Sequence, residues 1–91
     1  MRPVSYVVTN FIEKTMSVKG LNLYITSDGK YLAMDATFDT VFKFDLIFSD
    51  NDFSCQILAR SEAGLVLKHA VNIPWTNGGA LRDFMEYVRK L

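Results

Sequence analysis

Apolar and polar positions change their period twice along this chain. From Pro3 to Lys19 the residues Val4, Val7, Val8, Phe11, Met16 and Val18 fall mainly three or four apart, the spacing of one helix face. Gly20 follows, where a left-handed residue can end the helix. Lys14 and Lys19 lie near that end, the negative pole of the helix dipole. From Leu21 the period becomes two. "LNLYIT" and "YLAMDAT" flank Asp28-Gly29, a two-residue hairpin signal because glycine tolerates a positive φ. That turn sets Ile25 opposite Leu32, Leu23 opposite Met34 and Leu21 opposite Ala36.

The next run, "VFKFDLIF", puts Phe42, Phe44, Leu46 and Phe48 on one face. A short loop around Asp39 pairs Ala36 with Phe42, Met34 with Phe44 and Leu32 with Leu46. The "SDND" run, read as a four-residue loop, brings Phe48 opposite Phe53, Leu46 opposite Cys55, Phe44 opposite Ile57 and Phe42 opposite Ala59. A three-residue loop over Glu62, Ala63 and Gly64, with Gly64 left-handed, then sets Ala59 against Leu67, Ile57 against His69 and Cys55 against Val71. Pro74 cannot donate to a ladder and closes the last strand. Beyond "TNGG", the residues Leu81, Phe84, Val88 and Leu91 form a second helical stripe, with Thr76 or Asn77 as its cap. Asp83 near its start and Arg89 and Lys90 near its end suit the dipole.

These registers place apolar residues on one side of every strand, and a slip of one residue would turn a strand over. The pattern predicts an α+β fold over residues 1–91: a five-stranded antiparallel meander with N- and C-terminal helices packed on one face, α-β5-α. With 91 residues and about half of them apolar, the chain fills one core and has no room for a second. Ten basic residues balance ten acidic ones, so no general attraction for nucleic acid or anionic membrane is expected. The single cysteine, Cys55, excludes an intramolecular disulfide and a multi-cysteine metal site. Neither a signal peptide nor a membrane-length apolar run is legible. A cytoplasmic protein without cofactor or metal is therefore the expectation.

Four stretches carry candidate chemistry. Asp50, Asp52 and Ser54 match the first alternate ligand positions of a calcium loop. Cys55 stands where that loop needs glycine, however, and Ser61 where it needs the closing glutamate; the acids read as turn formers. Cys55 and His69 share a face on adjacent strands and could form a thiolate–imidazole pair, but in apolar surroundings the cysteine reads as core. Asn77, Gly78, Gly79 and Arg82 form a candidate anion site at a helix start. Trp75, after Pro74, reads as a packed corner residue.

The second sheet face carries Tyr24, Tyr31, Ala33, Val41, Ile47, Leu58 and Val66. The registers set Tyr31 opposite Ile47, Tyr24 opposite Ala33 and Asp35 opposite Lys43. Mixed aromatic, aliphatic and charged residues on a rigid sheet suit protein binding. The expected function is a small non-enzymatic protein-interaction module of accessory, adaptor or inhibitor type. Its site would be the open face, through Tyr24, Tyr31, Lys43, Ile47 and Leu58, or an edge strand of the sheet, and its partner another protein or a second copy. In architecture alone, a helix-flanked sheet of this size resembles small secretion-chaperone-like and accessory inhibitor proteins, which implies a protein-binding dimer as one alternative. A small enzyme using Cys55 and His69 is another.

Overall fold

A computed structural model describes the backbone of residues 3–91 and side chains from Ser5 onward. Val4, expected on the first stripe, lies outside the described side chains. Helix α1 (Pro3–Val18) buries Ser5, Val8, Ile12 and Met16, a three-four-four spacing that keeps one line along the helix. Val7 and Val18, expected on that stripe, are exposed, and Ile12 takes the central place. The helix ends as expected at Gly20, with φ +79. There the Gly20 N–H donates to the Ser17 carbonyl at 2.9 Å and the Leu21 N–H to the Met16 carbonyl at 2.9 Å, the paired bonds of a Schellman ending.

Five strands follow: β1 (Asn22–Ile25), β2 (Tyr31–Met34), β3 (Thr40–Phe48), β4 (Asp52–Ser61) and β5 (Gly64–Pro74). They form one antiparallel sheet in chain order. Helix α2 (Gly78–Arg89) is capped by Asn77, whose side-chain oxygen accepts the Ala80 N–H at 3.0 Å. Both helices cover the same face, α1 towards β1 and α2 towards β5, and they touch each other. The Lys19 ammonium joins their ends by donating to the main-chain oxygens of Arg89 at 3.0 Å and Leu91 at 2.5 Å.

The β3–β4 register is the expected one, from Phe48 opposite Phe53 to Phe42 opposite Ala59. So is the β4–β5 register between Asp52 and Ile57, with His69 opposite Ile57 and Val71 opposite Cys55. Beyond Ile57 the pairing shifts by one: Leu58 meets Leu67 and Ala59 meets Val66, leaving Lys68 as an extra residue. The hairpin is tighter than expected, with Ser61 paired to Gly64, although Gly64 does hold a positive φ of 97. The Lys68 bulge absorbs the difference. Leu67, expected on the helix side, therefore lies on the open side with Leu58, and Val66 lies on the helix side with Ala59.

The first two hairpins also differ. The β1–β2 loop has three residues between Thr26 and Lys30, with Thr26 N–H donating to Lys30 O at 2.8 Å and Gly29 N–H to Thr26 O at 3.0 Å. The Thr26 hydroxyl closes the loop further by accepting the Lys30 N–H at 2.9 Å and contacting the Asp28 carboxylate. Ile25 thus pairs with Tyr31, and Leu23 with Ala33. The β2–β3 loop repeats this geometry at Asp35–Asp39, and a bulge follows between Met34–Thr40 and Ala33–Phe42. Each correction moves β2 by an odd number of residues. Tyr31 and Ala33 therefore face the helices, while Leu32 and Met34 face away.

The core joins Ala33, Phe44, Phe53, Cys55, Ile57 and Ile73 of the sheet to Val8, Ile12, Met16, Phe84 and Val88 of the helices. Phe53 lies at its β4 end, 5.0 Å from the Trp75 ring and 5.5 Å edge-on from Phe84. The Trp75 indole N–H donates to the Ser49 carbonyl at 2.8 Å, and its backbone N–H to Asn51 O at 3.0 Å. Trp75 is thus the packed corner its position suggested, and it pins the "SDND" turn.

Candidate functional site: the open sheet face

Neither described helix covers the other face of the sheet. One lateral row runs across all five strands: Tyr24 pairs with Leu32, Leu32 with Lys43, Lys43 with Leu58 and Leu58 with Leu67. Met34 and Leu65 flank this row. The sheet thus presents an apolar band toward the end that carries the Asp35–Asp39 and Glu62–Ala63 turns. The opposite end is polar. There Lys30, Asp45, Ile47, Ser54, Gln56 and Asn72 line a shallow depression of about 450 Å³.

Phe38 borders the apolar band from the β2–β3 turn. It is 69% exposed, and its ring centroid lies 6.2 Å from that of Tyr24. Its φ is +63, the only positive φ of a non-glycine residue among the described residues. The same loop position in the β1–β2 turn is Gly29, at φ +83. A left-handed phenylalanine costs about 1–2 kcal/mol relative to an allowed conformation. Local polar contacts hold it there. The Asp35 carboxylate accepts the Thr37 N–H at 2.9 Å, the Thr37 hydroxyl at 2.6 Å and the Asp39 N–H at 3.1 Å. Arg60 adds a bond to Asp35 at 3.2 Å and a longer contact to Asp39 at 3.9 Å. The Thr37 hydroxyl and then these neighbours lower the Asp35 pKa to about 2.

Charges on this face are matched. Asp45 lies 3.7 Å from Lys30 and 3.9 Å from Lys43, while Arg60 pairs with Asp35. Tyr24, Lys43 and Leu58 of the expected set lie together in the apolar row, and Ile47, 67% exposed, lies on the same face at the polar end. Tyr31 does not belong with them: it pairs with Phe44 and packs against the core. The expected Asp35–Lys43 pair is also absent, since Lys43 faces Leu32 and Asp35 bonds Arg60. Sequence reasoning missed Leu32, Leu67 and Phe38. The signal for Phe38 was the likeness of "TSDGK" and "DATFD" as turns, with phenylalanine in the glycine slot.

The remaining candidates lie away from this face. Asn77 spends its oxygen on Ala80 as a helix cap, and Arg82 is exposed on α2. Cys55 is buried, and desolvation, followed by the nearby Asp45 charge, pushes its pKa up to about 12. The thiol is thus held protonated at neutral pH. His69 stacks on Tyr87 with centroids 4.0 Å apart. Among the described residues no group of three or more His, Cys, Asp or Glu is placed to hold a metal ion. None of the described helices is long and apolar enough to cross a membrane. No family model, curated protein or solved structure matches this chain.

Proposed function

We propose that this protein is a small non-enzymatic interaction module that binds another protein on the open face of its sheet. The observation that carries the reading is the uncovered row Tyr24–Leu32–Lys43–Leu58–Leu67, apolar except for Lys43 and bordered by an exposed Phe38 held in a left-handed conformation. Backbone strain that packing does not explain is concentrated at functional positions, and aromatic anchors dominate binding energy at protein interfaces. Internal pairing of the face charges favours a partner recognised by apolar shape over one steered by charge. The sheet supplies a rigid platform, so binding would require little ordering of the module itself.

The test is a pair of charge insertions, Leu32→Glu and Leu58→Glu. Both residues lie on the open side, so the fold should survive, as thermal unfolding can check. The expected result is a folded protein whose partner complex is lost. Retention of the complex by both folded variants would overturn the assignment of this face.

A further inference from the structure

The apolar row does not stop inside the sheet; it ends at Leu67 on the β5 edge. There Leu65, Val66 and Leu67 are consecutive and exposed by 39%, 41% and 57%. An edge strand leaves alternate N–H and C=O groups unpaired, and proteins usually protect such a strand with charge, proline, a bulge or a cover. β5 uses these devices only in its second part. Lys68 forms the bulge, Tyr87 donates its hydroxyl to the Lys68 carbonyl at 3.4 Å, and Pro74 ends the strand. The segment from Gly64 to Leu67 carries none of them.

We infer that this segment pairs with the same segment of a second copy of the chain, antiparallel about a two-fold axis at Val66. That register sets Leu65 of each copy against Leu67 of the other. Lys68 is the one charged residue of β5. The axis keeps the two Lys68 side chains apart and sets each beside Gly64 of the other copy, next to the turn that carries Glu62. The arrangement is thus free of like-charge opposition and brings opposite charges near each other twice. Both helical layers stay on one side, and the two open faces join into a ten-stranded sheet. A face-to-face dimer would instead bury Lys30, Lys43, Asp45 and Gln56, at a desolvation cost that the edge contact avoids. The doubled face rests on the open-face reading, whereas the edge pairing itself does not.

Sedimentation velocity tests it over roughly 5–500 µM, the range suited to a contact at the small end of specific interfaces. The wild-type mass should rise from one chain, 10.3 kDa, towards twice that value. The double variant Leu65→Lys with Leu67→Lys should stay monomeric, as should Leu65→Glu with Leu67→Glu. An equimolar mixture of the two should regain the two-fold mass, because each lysine then meets a glutamate. Wild type that stays monomeric throughout would overturn the proposal, as would doubly charged variants that still dimerise or a mixture that does not. Leu58→Glu should leave the dimer intact, so loss of partner binding in that variant alone would report on the face and not on the edge.

Discussion

Replacing Phe38 with glycine separates what the fold needs from what the surface does. The change relieves the left-handed conformation, worth about 1–2 kcal/mol for a residue with a Cβ. Glycine gives back about 0.4–1 kcal/mol through its greater freedom in the unfolded chain. Loss of the Tyr24 ring contact costs further, at the low end of roughly 0.5–1.5 kcal/mol for an aromatic pair, because the Phe38 ring is 69% exposed. The balance lies within about 1 kcal/mol of zero, a shift of no more than about 4–8 °C in Tm for a domain of this size. Burial elsewhere sets the contrast: truncating a core phenylalanine such as Phe53, which is 0% exposed, should cost about 3–5 kcal/mol. Urea unfolding of Phe38→Gly beside wild type measures the first quantity, and titration with the partner measures the second. A near-neutral stability change with at least a tenfold loss of affinity is the expected pair. Gly29→Ala supplies the control. Nothing lies within 4 Å of its added Cβ, so its destabilisation reads the backbone cost alone. Destabilisation of Phe38→Gly by more than about 2 kcal/mol would show that the ring supports the fold, and would refute the argument from strain.

Two further outcomes follow from titration. The Asp35 pKa is lowered to about 2 in the folded protein, below the roughly 3.9 of an unfolded aspartate. Its contribution to stability is therefore complete above about pH 4 and is lost as pH falls through the folded value. Urea midpoints between about pH 6 and pH 2 should fall more steeply for wild type than for Asp35→Asn; equal slopes would contradict this. The Cys55 thiol, with its pKa pushed up to about 12, should react with a thiol reagent at pH 8 only as fast as the protein opens. Addition of urea should release it, whereas fast native labelling would contradict the burial.

What was legible in the sequence depended on how many constraints each hairpin carried. β3 and β4 put only apolar residues on the helix side, from Phe42 to Phe48 and from Phe53 to Ala59, and all their charged residues between Lys43 and Arg60 on the other, so only one register suits them. "YLAM" in β2 is apolar at all four positions, so its parity had to be taken from the neighbouring loops. Both loops are longer than the tightest hairpin: Thr26 closes one through its hydroxyl, and Asp35 organises the other through its carboxylate. The resulting register errors were each odd. They cancelled between β1 and β3, leaving Leu23 and Phe44 on the correct side while β2 was inverted. The apolar stripe of expected residues therefore looked unbroken although Tyr31 and Leu32 had exchanged faces. The Lys68 bulge was similarly illegible, because one extra residue in an edge strand leaves no mark in a hydrophobic pattern. These two inversions are also why Leu32 and Leu67, two of the three leucines of the open row, went unrecognised.

Site-specific photo-cross-linking tests the central claim most directly. A photoreactive phenylalanine analogue is placed at Leu58 in the open row, at Phe38 on its border and at Asp83 on the exposed side of α2, with partner adducts scored by mass. The account predicts adducts from positions 58 and 38, none from position 83, and disappearance of the first two when Leu32→Glu is added. Adducts at position 83 with none at position 58 would place the binding surface on the helical layer and contradict the account.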